Sequence, residues 1–188
     1  MSRDRTVNLP NIVTIVRILL VPVLVWTIAA GEMRAAFLLF VAAGISDGID
    51  GFVAKRFGMT TDFGAHLDPL ADKMLIIAIF VGLGMVGAIP VWLVILVVSR
   101  DILIIGAVML AMLLGRPVKM RPLMISKLNT VMQIVFASVV LASLGFEFDA
   151  KPVQTVIMWM VAALTLLSVG FYTREWMRHM TAAEREPG

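Results

Sequence analysis

Apolar runs, broken at intervals by glycine, proline or charge, divide the chain into six segments: Asn11 to Ala30, Met33 to Phe57, Asp62 to Leu83, Ile89 to Leu114, Leu123 to Leu144 and Val153 to Tyr172. A helix needs about 20 residues to cross the hydrocarbon core of a bilayer, and each segment is of that length. The breaks are made of turn formers: Gly31 and Glu32, then Gly58, Gly82 to Gly87 with Pro90, Gly115 to Pro122, and Gly145 to Pro152. The pattern predicts an all-α integral membrane protein with six transmembrane helices in one bundle. Residues 1–188 read as one membrane domain, with 1–10 a cytoplasmic N-terminal segment and 173–188 a cytoplasmic tail. Composition agrees, with 60% hydrophobic residues and a mean hydropathy of +0.96. No cysteine is present, which excludes disulfides and thiolate chemistry.

Charge adds an orientation. With the N-terminus inside, the inner loops and tail carry Arg3, Arg5, Lys55, Arg56, Arg116, Lys119, Arg121, Arg174, Arg178 and Arg185, while the outer loops carry only Arg34 and Lys151. That asymmetry follows the positive-inside rule and puts both termini in the cytoplasm. Trp26, Trp92 and Trp159 fall toward the outer ends of their segments, and Trp176 lies beyond the inner end of the last, as an interfacial aromatic belt requires. The first segment also has the look of a secretory signal, but Arg17 interrupts its apolar run and further spans follow.

The informative positions are the polar ones inside the apolar segments. Asp47 and Asp50 lie near the inner end of the second segment, and Asp68 and Asp72 near the inner start of the third. Ionisable groups at such depth are costly and mark function. On helices, the first two share a face at i, i+3 and the second two at i, i+4. Two such carboxylate pairs can enclose hard divalent cations, typically Mg²⁺ when phosphates complete the shell. Asn11, Thr14 and Arg17 form a polar stripe on the first segment; Ser99, Arg100 and Asp101 interrupt the fourth; Ser126, Lys127, Asn129, Thr130 and Gln133 open the fifth. Acids on one wall and bases on others suit a metal-bound phosphate compound. Pro69 is expected to loosen the third segment beside Asp68, and Gly48, Gly51 and Gly64 leave room for a ligand near the acids.

The run D47-x2-D50-G51-x2-A54-K55-x8-G64-x3-D68-x3-D72, together with the opening N-L-P-N-I-V-T-I-V-R, resembles the CDP-alcohol phosphotransferase family of integral membrane enzymes. The resemblance covers nearly the whole chain. It implies transfer of a substituted phosphate from a CDP-linked donor to an alcohol, with release of CMP. It further implies that Asp47, Asp50 and Asp68 ligate two Mg²⁺ or Mn²⁺ ions, and that Asp72 is both a ligand and the general base. Gly51, Ala54 and Gly64 would border the cytidine, with Asn11, Thr14 and Arg17 near the donor's phosphates. Lys55 stands where the family usually has arginine; it keeps the charge and loses the bidentate fork.

V-S-R-D (Val98 to Asp101) and P-L-M-I-S-K-L-N-T-V-M-Q (Pro122 to Gln133) look more like the cardiolipin-forming branch of that family than the phosphatidylglycerophosphate-forming one. The implied donor is CDP-diacylglycerol and the favoured acceptor phosphatidylglycerol, with glycerol 3-phosphate the alternative. Arg100, Arg116, Lys119, Arg121, Ser126 and Lys127 are candidates for holding it. Arg100 beside Asp101 also reads as a structural pair, and Lys127 as a snorkelling residue. The resemblance implies a homodimer, and the small-residue run Gly82, Gly84, Gly87 permits close helix contact. No nucleic-acid partner is expected. The location implied is a bacterial cytoplasmic or mitochondrial inner membrane, with the site facing the cytoplasm or matrix. An ion-coupled transporter is the competing reading; charges gathered at one face, with nearly none in the outer halves, argue against it.

Overall fold

The computed structural model describes the backbone over residues 9–57, 62–113 and 124–183, and the side chains of residues 16, 18–46, 48, 73–106 and 124–174. Among these residues there are six helices and no strand: α1 (Leu9–Ala29), α2 (Met33–Phe57), α3 (Asp62–Met85), α4 (Val91–Leu113), α5 (Met124–Phe146) and α6 (Lys151–Ala183). Each coincides with one apolar segment, and the ends agree with the sequence pattern within two residues except at one point. That exception is the end of α6, which continues eleven residues past Tyr172 to Ala183. The stretch T-R-E-W-M-R-H-M-T-A-A loses its apolar character without acquiring glycine or proline. Hydropathy there marks the end of the apolar core, while the backbone has no reason to stop being helical. The expected tail therefore begins as helix. α3 is continuous across Pro69.

Three helices end in the same way. At the end of α1, Gly31 adopts φ +80° and the Glu32 N–H donates to Thr27 O at 2.9 Å. At the end of α3, Gly87 adopts φ +72° and the Ala88 N–H donates to Leu83 O at 2.9 Å. These are left-handed caps that satisfy terminal carbonyls, where glycine avoids the Cβ penalty. α5 closes likewise, the Phe148 N–H donating to Ser143 O at 3.2 Å, but the left-handed residue is Glu147, at φ 57°. The glycine that the sequence offers as the terminator, Gly145, lies inside the helix. Its job is close approach: a Cβ there would sit 2.9 Å from the backbone nitrogen of Arg34 and 3.0 Å from its Cα.

The helices form two compact units. The first comprises Met1–Ile89 with Ala137–Ala150, so α1 to α3 and the second half of α5; the other comprises Pro90–Phe136 with Lys151–Gly188. In the first unit α1 packs on both α2 and α3. Gly82 is buried, and a Cβ on it would come within 3.2 Å of the Ile28 side chain, so α1 and α3 meet near the C-terminal ends of both and run parallel. The start of α2 is clasped to the end of α5: Arg34 Nε donates to Gly145 O, its guanidinium stands 5.9 Å from the Phe146 ring centre, and Phe37 meets that ring edge-on at 5.6 Å.

In the second unit the contacts fix directions. Trp92 and Trp159 pack with ring centres 5.6 Å apart, and eight or nine residues further along each helix Arg100 meets Ser168. α4 and α6 therefore run parallel. α5 runs against them, because Ser126 bonds to Arg100 while Asn129, one turn later, meets Thr165, one turn earlier than Ser168.

Beside an apolar core that includes Leu24, Ile28, Phe80, Leu93 and Leu141, the described residues bury polar groups and expose large apolar ones. Arg100, Asp101, Asn129, Gln133, Thr165 and Ser168 are buried, while Leu19, Trp26, Leu38, Ile95, Leu103, Val156, Trp159 and Leu166 are all more than half exposed. So much exposed apolar surface is an interaction surface. Met124–Phe146 and Lys151–Arg174 are each long and apolar enough to cross a bilayer, and α1 to α3 carry apolar stretches over Ile18–Ala29, Met33–Ser46 and Lys73–Met85.

Candidate active site

The four acids fall on helical backbone, Asp47 and Asp50 in the C-terminal half of α2, Asp68 and Asp72 in the N-terminal half of α3. Each pair thus has the register that the sequence reading required, with its two members on one face of a helix. α1, which carries Asn11, Thr14 and Arg17, is the helix packed against both. Gly51, Ala54 and Lys55 belong to α2 and Gly64 to α3. The side chains of all these positions lie outside those described, as do Arg116, Lys119 and Arg121 entirely. Gly48, one residue after Asp47, is exposed and has nothing within 4 Å of where a Cβ would stand.

Three of the acceptor candidates, Arg100, Ser126 and Lys127, have described side chains, and their surroundings differ sharply. Arg100 is fully buried. Its Nη1 donates to Asp101 Oδ1 at 2.5 Å, Nη2 to Ser126 Oγ at 2.5 Å and to Ser168 Oγ at 2.9 Å, and Nε to Ser168 Oγ at 3.2 Å. One guanidinium thereby ties α4, α5 and α6 together, and its charge is balanced by the adjoining carboxylate. Ser126 is engaged in the same cluster, and its carbonyl accepts from Thr130 Oγ1 at 3.1 Å. Lys127 is exposed, with no partner for its ammonium among the described residues. Among the described residues, Lys127 in the first turn of α5 is an exposed cation, whereas Arg100 is held inside the unit.

A turn further along, Thr165 donates to Asn129 Oδ1 at 3.0 Å. Asn129 Nδ2 and both polar atoms of Gln133 are buried without a partner among the described residues. Thr165 and Ser168 were not singled out by sequence reasoning, although polar residues three apart in an otherwise apolar helix are a signal of an inward face. Single hydroxyls are common enough in membrane helices to hide it.

Comparison with known proteins meets this arrangement directly. The sequence pattern of the family described as CDP-alcohol phosphatidyltransferase matches residues 7–167, a span that includes all four acids, the polar stripe of α1 and the Arg100 cluster up to Thr165. The chain is 36% identical over 191 residues to the chloroplastic CDP-diacylglycerol–glycerol-3-phosphate 3-phosphatidyltransferase 1 of rice, covering 91% of this chain and 57% of that protein. It is 30% identical over 186 residues to the enzyme of the same name from Bacillus subtilis, covering 90% and 95%. It is also 32% identical over 180 residues to the CMP-forming cardiolipin synthase of rat, covering 87% and 59%. The chain thus spans somewhat more than half the length of the rice and rat relatives, and nearly all of the bacterial one. With the pattern running through α1 to α6 and the acids in their helical register, the chain belongs to the CDP-alcohol phosphatidyltransferase family.

Proposed function

We propose that this protein transfers the phosphatidyl group of CDP-diacylglycerol to a glycerol-type alcohol and releases CMP. One observation carries the reading: the acids at 47, 50, 68 and 72 stand at i, i+3 and i, i+4 on two helices that share α1 as a packing neighbour, inside the stretch that matches the family. The exposed apolar surface and the parallel and antiparallel contacts support six spans, and the loop charges support a cytoplasmic N-terminus. The working face is then on the cytoplasmic or matrix side, in a homodimer.

The acid set fits divalent metal. All four donors are carboxylates, hard oxygen ligands of the kind that Mg²⁺ and Mn²⁺ take and that zinc and copper sites usually supplement with nitrogen or sulfur. Asp47, Asp50, Asp68 and Asp72 would hold two such ions, which when bound offset the charge of the donor's phosphates. Asp72 takes the proton of the acceptor hydroxyl. The freed oxygen attacks the phosphorus that carries diacylglycerol, the bond to the CMP oxygen breaks, and CMP leaves with the electron pair. Asn11, Thr14 and Arg17 steady the donor's phosphates from α1, and Gly51, Ala54 and Gly64, without bulky side chains, let the cytidine approach, with Lys55 beside them.

For the acceptor we favour phosphatidylglycerol, which would make the product cardiolipin. With Arg100 neutralised by Asp101, Lys127 is the only uncompensated cation among the described acceptor candidates. In sequence, Ser126-Lys127-Leu128-Asn129-Thr130 carries one basic residue fewer than the corresponding stretch of the phosphatidylglycerophosphate-forming branch, which suits a monoanionic phosphodiester better than a glycerol phosphate close to dianionic. The alternative, glycerol 3-phosphate, is favoured by similarity along nearly the full length of the Bacillus enzyme. Purified protein given CDP-diacylglycerol with each acceptor in turn decides between them. Cardiolipin from phosphatidylglycerol alone is the expected outcome, phosphatidylglycerophosphate would reverse the choice, and CMP from neither would reject the transferase reading.

A further inference from the structure

Near its polar end α6 bears a shallow groove of about 340 Å³, lined by Leu166, Leu167, Gly170, Phe171 and Arg174. Four of the five are apolar, and the one charge stands at the end of the apolar stretch Lys151–Arg174. Leu166 and Leu167 are 59% and 53% exposed, so no helix among the described residues fills the groove. The notch at its centre is Gly170, which has nothing within 4 Å of a Cβ position. Arg174 follows one turn later and has no acceptor among the described residues. The helix continues to Ala183, and Arg178 comes another turn on in the same register.

We infer that this groove is a site for one anionic phospholipid, its phosphate on Arg174 and an acyl chain lying over Gly170. Charge and shape argue together. In a bilayer any apolar face meets acyl chains, but an arginine at the level where the apolar stretch stops, on the side where loop charges place the anionic leaflet, selects a negative headgroup. Its planar fork accommodates a phosphodiester through two parallel hydrogen bonds. A free phosphate would gain nothing from the four apolar neighbours. The inference rests on the membrane placement of α6 proposed above, and not on which alcohol is the acceptor.

The test uses the full chain in phosphatidylcholine vesicles, with spin-labelled phosphatidylserine, a lipid that is neither donor nor acceptor in the proposed reaction. The immobilised fraction is compared with that of spin-labelled phosphatidylcholine. About a fivefold preference for phosphatidylserine is expected at one site, the effect of one arginine near the surface. Gly170→Leu, which fills open space in a helix, and Arg174→Gln should each bring the preference close to parity. Inorganic phosphate at millimolar concentration should not displace the lipid. Equal retention of both lipids by the wild-type protein, an intact preference in Gly170→Leu, or displacement by phosphate would overturn the site. Both variants should still release CMP in phosphatidylserine-free vesicles. A raised KM for the acceptor in Arg174→Gln would move Arg174 to the acceptor and also overturn it. A wild-type protein that shows the preference and releases no CMP would instead count against the transferase reading alone.

Discussion

The guanidinium of Arg100 and the carboxylate of Asp101 meet at 2.5 Å with both side chains withdrawn from the surface, 0% and 1% exposed. Removing one partner of a buried pair strands the other, at a cost of about 3–5 kcal/mol, whereas replacing both by apolar residues is often close to neutral. Arg100→Leu should therefore lower the unfolding temperature in detergent sharply, and Arg100→Leu with Asp101→Leu should recover most of the loss. The double variant also reads out function: an acceptor KM near the wild-type value is expected if Arg100 is spent on holding α4, α5 and α6. A double variant no more stable than the single would mean that the pair is not the main role of these residues.

The single hydroxyl proton of Thr165 is shared between Asn129 Oδ1, at 3.0 Å, and the carbonyl of Val161, at 2.7 Å. In Thr165→Val the Asn129 amide is left without that donor in a buried position, for which about 1–3 kcal/mol is the usual penalty. Pairing the change with Asn129→Leu should cost less than Thr165→Val alone, because no stranded amide remains. Chemical or thermal unfolding of the three proteins in one detergent checks the order.

Gly145 allows the end of α5 to lie on the start of α2. A methyl group there would stand 2.9 Å from Arg34 N and 3.1 Å from Met33 C, both backbone atoms that cannot swing away. Gly145→Ala should destabilise the protein by about 1–3 kcal/mol, against the slight gain that helix propensity alone would give. Gly44→Ala, also in a helix but with nothing within 4 Å, is the control and should be neutral or stabilising. Equal behaviour of the two would show that the close approach is not limiting.

The helices were legible because their signal is local. Apolar length and breaker residues mark six segments, and the acids at 47, 50, 68 and 72 betray themselves by being charged where charge is expensive. What the pattern concealed depends on neighbours far along the chain. Gly145 has the look of a helix end, and only the proximity of Arg34, over a hundred residues earlier, shows it as a contact. Arg100 has the look of a ligand for a phosphate until Ser168 and Ser126 are found on its nitrogens. Ser168 itself is one hydroxyl in a long apolar helix. The helical continuation of α6 past Tyr172 was not legible for a different reason, since hydropathy reports solvent and not backbone conformation.

The remaining prediction concerns the acids. Asp72→Asn keeps size and shape in α3 while removing the capacity to take a proton, and about two to four orders of magnitude in rate is the ordinary worth of a general base. CMP release from CDP-diacylglycerol should fall by at least that much, with the variant still inserting in membranes and unfolding near the wild-type temperature. Independently, EDTA should stop the wild-type reaction, and Mg²⁺ or Mn²⁺ should restart it, because the acids at 47, 50 and 68 have no evident use beyond holding a cation. Normal turnover in Asp72→Asn would move the base elsewhere, and turnover in metal-free buffer would remove the reason for gathering carboxylates on α2 and α3.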